Sequence, residues 1–343
     1  SLSNPEDIKI GFESTAHYAL NLELFLENAH HSFMEVNPVL IKEYKKSTTL
    51  RRTKTDSVDC ESIARWLITV EYKPHSKGFY HAYSLKSLTR LRDRLIRQRS
   101  FYLVKITNVL DHTFPEFKPF FNERLSKTAL YLLENYGSAE KMARMNSASY
   151  DKLRCISRGK FSIQQFLRLK ELAANTVGVN NSIFDLELNT LLTLYKSLSD
   201  EINTLETEII KLIEEVHPHY MSIPGIGPIS SAVIYAEYGD ISNFSNPGQM
   251  LAFAGIEPGI NDSGTESHGG RMVKHGSSQL RYVLLNACLP LIRFDLTFAT
   301  YYEKKRAEGK KHRVAITHVA KKLIRVIYAL ERQDVDFNAQ KLR

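Results

Sequence analysis

The spacing of apolar residues predicts several distinct elements along the chain. Ile8, Ile10 and Phe12 predict a short strand that stops at Glu13-Ser14-Thr15. Ala19, Leu20, Leu22, Leu24, Phe25 and Leu26 then predict an amphipathic helix over 16–29. Phe33-Met34-Glu35-Val36 reads as a second strand closed by Asn37-Pro38, so the start is a βαβ unit of a parallel sheet. A loop and a helix follow over 52–73, and a helix over 84–110 is ended by Pro115 and Pro119. The stretch 120–183 reads only as mixed helical. From Leu188 to Val216, Leu188, Leu191, Tyr195, Leu198, Ile202, Leu205, Ile209, Leu212 and Val216 alternate spacings of three and four. That is a coiled-coil seam of four heptads, which needs a partner helix from the same chain or from a second copy. Beyond His217 the pattern predicts a helix after Ile223-Pro224-Gly225-Ile226-Gly227-Pro228, a helix from Asn246 to Ala254, and a Gly-rich loop over 258–270. Helices over 277–293 and 312–331 complete it, linked by YYEKKRAEGKKHR.

Charge divides this picture. The 343 residues carry 46 Lys+Arg and 38 Asp+Glu, a formal surplus of +8. In the helix over 84–110, Lys86, Arg90, Arg92, Arg94, Arg97, Arg99 and Lys105 face one acid, Asp93, whereas 184–216 has two bases and eight acids. The basic helix is therefore the complementary partner for the seam. From Arg271 to Arg325 there are thirteen bases and three acids, more than the whole chain's surplus. Such a block either solvates a face or meets a polyanion, and its position beside a Gly-rich loop favours the polyanion. Ordinary globular composition excludes a disordered or collagenous chain. Cys60, Cys155 and Cys288 are scattered and form no CxxC pair, so neither a disulfide framework nor a zinc ribbon is expected, and a reducing cytoplasm is. No apolar run is long enough to span a membrane, so no membrane partner is expected.

Three constellations carry chemistry. In IPGIG, Gly225 and Gly227 precede a helix and can present backbone N–H groups to a phosphate, as helix-hairpin-helix modules do. A tight N-cap turn uses the same residues. Glu13 stands at a strand end, with Asp56 and Asp59 three apart at a helix start. Carboxylates so placed can hold Mg²⁺, and Asp56 could equally be an N-cap. The loop Asn261-Asp262-Ser263-Gly264-Thr265-Glu266-Ser267-His268-Gly269-Gly270 sets two serines and a histidine before Arg271 and Lys274. A serine attacking a phosphodiester needs such nearby cations. No GxSxG elbow supports an ordinary hydrolase.

In combination, these strings resemble the insertion sequence 110 type transposases, the DEDD transposases related to the Piv DNA invertases. The matching strings are IGFESTAHY (10–18), VNPVLIKEY (36–44), RRTKTDSVDCESIA (51–64), SIPGIGPISSAVIYAEYGDISNFSNPGQMLAFAGIEPG (222–259), DSGTES (262–267), MVKHGSSQLRYVLLNA (272–287) and GKKHRVAITHVAKKLIRVIYAL (309–330). The resemblance implies an α/β plus α architecture in three parts. Residues 1–83 would be a partial RuvC-like (RNase H fold) domain. Residues 84–216 would be a helical coiled-coil and dimerisation region. Residues 217–343 would be a mainly α-helical transposase domain with a helix-hairpin-helix and the serine loop.

Position by position, the resemblance implies Mg²⁺ ligands at Glu13, Asp56 and Asp59, and a nucleophile at Ser263, with Ser267 as its rival in the same loop. Cys60 stands where alanine is common. Ser277 and Ser278 read as N-cap and phosphate contact. Gly225, Gly227, Arg271, Lys274, Arg281, Lys304, Lys305, Lys310 and Lys311 are the expected nucleic-acid contacts. Only twelve residues precede Glu13, so the first Asp of the family's tetrad is expected to be missing together with its strand, leaving Ile8, Ile10 and Phe12 on an open edge. Implied partners are DNA, a structured guide RNA in at least part of the family, and further copies of the chain as a dimer or tetramer. The implied location is a bacterial or archaeal cytoplasm, at the nucleoid. A water-using junction nuclease and a catalytically dead DNA-binding fragment are the competing readings.

Overall fold

A computed structural model of the chain describes residues 8–13, 19–36, 38–48, 55–72, 79–122, 125–263, 266–274 and 276–342. They are mostly helical, with few strands, and divide into two compact units, 1–80 and 81–343.

The first unit contains the expected βαβ arrangement. Strand β1 (Ile10–Glu13) and β2 (Phe33–Val36) pair in parallel across α1 (Ala19–Asn28), with Glu13 opposite Val36. β1 therefore lies two residues later than its apolar alternation suggests and reaches Glu13 itself. Pro38 does not close the second strand's segment. It opens α2 (Pro38–Thr48), because a proline at the first helical position has no N–H to waste. α3 (Asp56–Thr69) lies against β1: a Cβ on Gly11 would come within 2.6 Å of Leu67. Val36, Ile41, Ile63 and Leu67 form one buried cluster of this unit, and Ala19, Leu26 and Phe33 are buried as well. Ile8 is exposed, while Ile10 and Phe12 are half-buried and Phe12 stacks on Phe33 at 5.6 Å.

All but the first two residues of α4 (Phe79–Thr113) belong to the second unit, and the helix is longer at both ends than its charged pattern marks. The stretch that reads only as mixed helical contains α5 (Phe117–Phe120), α6 (Lys127–Tyr136), α7 (Ala139–Ala143), α8 (Ser147–Ile156) and α9 (Ile163–Ala174). Ser126, Ser138, Asn146 and Ser162 each cap the helix that follows by accepting a backbone N–H, and Ser162 with Gln165 completes a capping box. α10 (Ser182–Val216) follows. Every position of its heptad seam is buried or half-buried, and the seam meets helices of the same chain. Leu85 of α4 shares a core with Ile209 and Ile213, Arg92 pairs with Glu206 at 2.6 Å, and Ile106 and Leu110 share a core with Leu188 and Leu192. Rising numbers on α4 meet falling numbers on α10, so the two run antiparallel and the opposite charges read from the sequence do meet.

A 3₁₀ turn, His219–Ser222, leads to α11 (Pro228–Tyr238) and α12 (Pro247–Ala254). The segment read as a Gly-rich loop is instead an antiparallel hairpin, β3 (Pro258–Ser263) and β4 (Glu266–Met272). α13 (Ser278–Phe294), α14 (Leu296–Ala307) and α15 (His312–Gln333) close the unit, and a 3₁₀ turn, Ala339–Leu342, ends it. The segment YYEKKRA, expected as linker, is the second half of α14. Among the described residues no single helix is long and apolar enough to cross a membrane.

Candidate nucleic-acid and catalytic sites

In the first unit Glu13 ends β1, while Asp56 and Asp59 lie in the first turn of α3, the helix that packs against β1. Contacts along β1 advance backwards along the following segment. Ile10 bonds the Tyr72 hydroxyl, Gly11 touches Leu67, and Val36, the rung partner of Glu13, shares the core of Ile63. Thr55, not Asp56, is the N-cap of α3, accepting the Val58 N–H at 3.4 Å. Asp56 is exposed and makes no hydrogen bond or ion pair among the described residues. Asp59 is paired with Lys45 of α2. Among the described residues no three His, Cys, Asp or Glu side chains close around a common point. The donors are hard oxygens suited to a divalent ion, and an ammonium already holds the cationic position at Asp59.

In the second unit, the hairpin that carries both candidate serines is anchored at its root. The Val273 N–H donates to the Glu257 carbonyl at 3.0 Å, and Arg281 donates to the Ala254 carbonyl at 3.1 Å. Gly276 lies so close to the Phe253 carbonyl that a Cβ would approach it to 2.2 Å. Ser263 pairs with Glu266 at the last rung before the turn, and Asp262 pairs with Ser267 one rung earlier. Arg271 lies in β4, and Lys274 has φ +55° in the bend after it. Ser277 caps α13 by accepting the Leu280 N–H at 3.2 Å, as expected, and Ser278 is that helix's first residue.

Lys321 and Arg325, one turn apart on α15, belong to this neighbourhood and were not singled out from the sequence. Burial and the Arg325 charge hold the Lys321 ammonium below the ordinary lysine value, and Glu257 at the hairpin root opposes them. Their spacing of four, on a helix already recognised, was the available sign.

The two glycines of IPGIG do different work. Gly225 has φ +96°, and a Cβ there would meet Pro290 of α13 at 2.8 Å, so it is a packing residue. Gly227 is the N-cap of α11, has no atom near its Cβ position, and leaves the first-turn N–H groups without a capping side chain. On the basic block, Lys304, Lys310 and Lys311 are exposed. Lys305 is held by Glu308 at 2.8 Å, which raises its pKa.

Two protein-family models match the chain. Residues 218–303 match the transposase family of IS116, IS110 and IS902, and residues 1–115 match a transposase model of the IS110 DEDD class. Both stretches are similar to transposases of the IS110 type. The segment between the two matches carries the helices α5 to α10. Over 298 residues the chain is 28% identical to the IS900 element protein of Mycobacterium paratuberculosis, covering 81% of this chain and 71% of that one. Over 245 residues it is 27% identical to the IS110 element protein of Streptomyces coelicolor, covering 69% and 60%. The transposase of element IS1111A from Coxiella burnetii is 25% identical over 260 residues, covering 75% and 59%. The chain thus spans less than two thirds of the latter two relatives. Of the strings that carry the resemblance, 14–18, 37, 51–54, 264–265 and 275 lie outside the described residues.

Proposed function

We propose that this protein is a DNA transposase that cuts and rejoins the ends of a mobile element through a serine–DNA ester. One observation carries the reading: the serine hairpin is rooted between α12 and α13 beside Arg281, Lys321 and Arg325, inside the stretch that matches the family model. Cations grouped there suit the negative charge that develops on a phosphodiester under attack.

In this reading the Oγ of Ser263 bonds to phosphorus, and the bridging P–O bond breaks. The departing DNA end leaves as a hydroxyl carrying the serine's proton. A DNA hydroxyl later attacks the same phosphorus, and the serine takes a proton back. Ser267, one rung away, is the alternative nucleophile. Glu13, Asp56 and Asp59 are the residues of this chain that would hold Mg²⁺, with the Lys45–Asp59 pair giving way. Mg²⁺ bound there supplies Lewis-acid stabilisation of charge on the phosphate oxygens. Arg271, Lys274, Arg281, Lys304, Lys305, Lys310 and Lys311 contact nucleic-acid backbone, and the uncapped start of α11 at Gly227 offers N–H groups to a phosphate, as in a helix-hairpin-helix. Gly225 keeps the turn before it in place.

The finer architecture belongs to the same proposal. The first unit is RuvC-like, and the α4–α10 pair is the coiled-coil region through which dimers or tetramers form. A structured guide RNA selects the DNA, and the enzyme works at the nucleoid. Purified protein incubated with element-end DNA and Mg²⁺ tests the chemistry. Ser263→Ala is expected to lower cleavage by about a thousandfold or more, as loss of a nucleophile does. Cleavage that survives both Ser263→Ala and Ser267→Ala would make water the nucleophile and the protein a nuclease.

A further inference from the structure

Away from the serine hairpin, α14 and α15 border a cleft of about 430 Å³ lined by Asp295, Thr297, Thr300, Tyr301, Lys304 and Lys322. Its two ammonium groups come from different helices. The Lys322 Nζ lies 5.2 Å from the ring centroid of Phe298 and 5.2 Å from that of Tyr301, so two aromatic faces fix its position. Phe298 is fully buried, which anchors that wall. Neither Lys304 nor Lys322 has a carboxylate within ion-pair distance among the described residues. Asp295 is the one acid lining the cleft, and its Oδ1 is already used, accepting the Phe298 N–H at 3.0 Å to cap α14. Burial pulls the Lys322 pKa below the ordinary lysine value, and Asp295 opposes the shift without cancelling it. The cleft therefore holds a surplus of positive charge, two threonine hydroxyls able to donate, and room for a phosphate with its sugar. Lys310 and Lys311, in the connection between these two helices, are exposed as well.

We propose that this cleft seats one phosphodiester of a nucleic-acid strand, held by Lys322 and Lys304 with the hydroxyls of Thr297 and Thr300. The inference rests on the reading of the protein as a nucleic-acid enzyme. It adds a fixed backbone position apart from the reacting serine, one that steers the strand without reading its sequence.

Binding of a fluorescent duplex of arbitrary sequence, followed by anisotropy across a salt series, tests it on the full chain. Lys322→Gln is expected to weaken binding roughly tenfold, the loss of one charge-assisted contact, and to reduce the slope of log K against log salt by about 0.9. Lys322→Arg should retain most of the affinity. Lys304→Gln, at an exposed position where folding is not at stake, should give a smaller loss in the same direction. Unchanged affinity and slope in both glutamine variants, with wild type still binding, would overturn the cleft and leave the transposase reading standing. A wild-type chain that binds no duplex would overturn both. Inorganic phosphate is the second arm. Millimolar phosphate should compete with the duplex in wild type and lose that effect in Lys322→Gln. Phosphate binding that depends on Lys322 but never competes with duplex would assign the cleft to a free anion and overturn the strand.

Discussion

The two regions that carry candidate chemistry are built on very different foundations. Among the described residues, the first unit buries seven apolar side chains, of which Val36, Ile41, Ile63 and Leu67 form one cluster. The serine hairpin stands on a core of 24, from Tyr220 to Leu330, so its root is held by a scaffold that one substitution will not dissolve. The contrast separates two ways of making a site. In the second unit the backbone at the hairpin root is fixed by hydrogen bonds to Glu257 and Ala254, and function is a matter of which side chain the hairpin carries. In the first unit Asp59 is paired with Lys45, so the proposed metal role asks a cation to displace an ammonium.

Changing Leu67 to Ala should break the contrast most visibly. A buried leucine truncated to alanine costs about 2–5 kcal/mol, a large share of what so small a core contributes. Hydrogen exchange should show the amides of Ile10 and Gly11 losing protection while those of Leu284 and Ile324 keep theirs. Equal loss in both units would mean that they unfold as one.

Next in size is Arg90→Ala. Arg90 meets Glu237 through two hydrogen bonds, at 3.0 and 3.1 Å, and the Glu237 side chain is only 2% exposed. Removing the guanidinium strands a buried carboxylate, at a cost of about 3 kcal/mol. A lowered thermal midpoint, with the amides of α11 affected before those of α15, would sharpen the role of α4 in bracing the second core.

How much of this was legible beforehand follows the range of each signal. The α10 seam was readable because its heptads persist for four repeats. The opening strand–helix–strand was readable because each element announces its own period. The helices α5 to α9 were not, because they are short and their evidence is single capping residues such as Ser126 and Asn146 rather than a sustained stripe. The β3–β4 hairpin was hidden because PGINDS and ESHGGRM have no apolar alternation, and strand pairing there depends on its partner and its root. Residue types pointed to Glu13, Asp56, Asp59 and Ser263, yet Thr55 as the cap, Lys45 as the partner of Asp59 and the Arg90–Glu237 pair arise only from three-dimensional neighbours. Nothing in the sequence marks Lys322, because Phe298 and Tyr301 meet it only in three dimensions.

The smallest expected effect is a pH response at the end of the chain. His219 lies between Asp336, at 3.0 Å, and Asp334, at 2.8 Å, with the Glu331 charge nearby, and these raise its pKa above the ordinary 6.5. The Phe337 N–H donates to the Ser222 hydroxyl in the same neighbourhood. A raised folded pKa means that the imidazolium's contribution is complete below about 6.5 and fades as pH climbs through the higher folded value. Exchange at the Phe337 amide, corrected for its intrinsic rate, should therefore become less protected from pH 6 to pH 8.5. His219→Gln should flatten that dependence. A wild-type profile that is already flat would remove the charge from the account.

The central claim, a serine ester made in the second unit, is tested most directly by mapping the adduct. Protein trapped on element-end DNA carrying a nick near the cleavage site, then digested and read by mass spectrometry, should yield a nucleotide attached within the hairpin at Ser263. An adduct on a residue outside the hairpin, or cleaved DNA with no adduct on the protein, would contradict it.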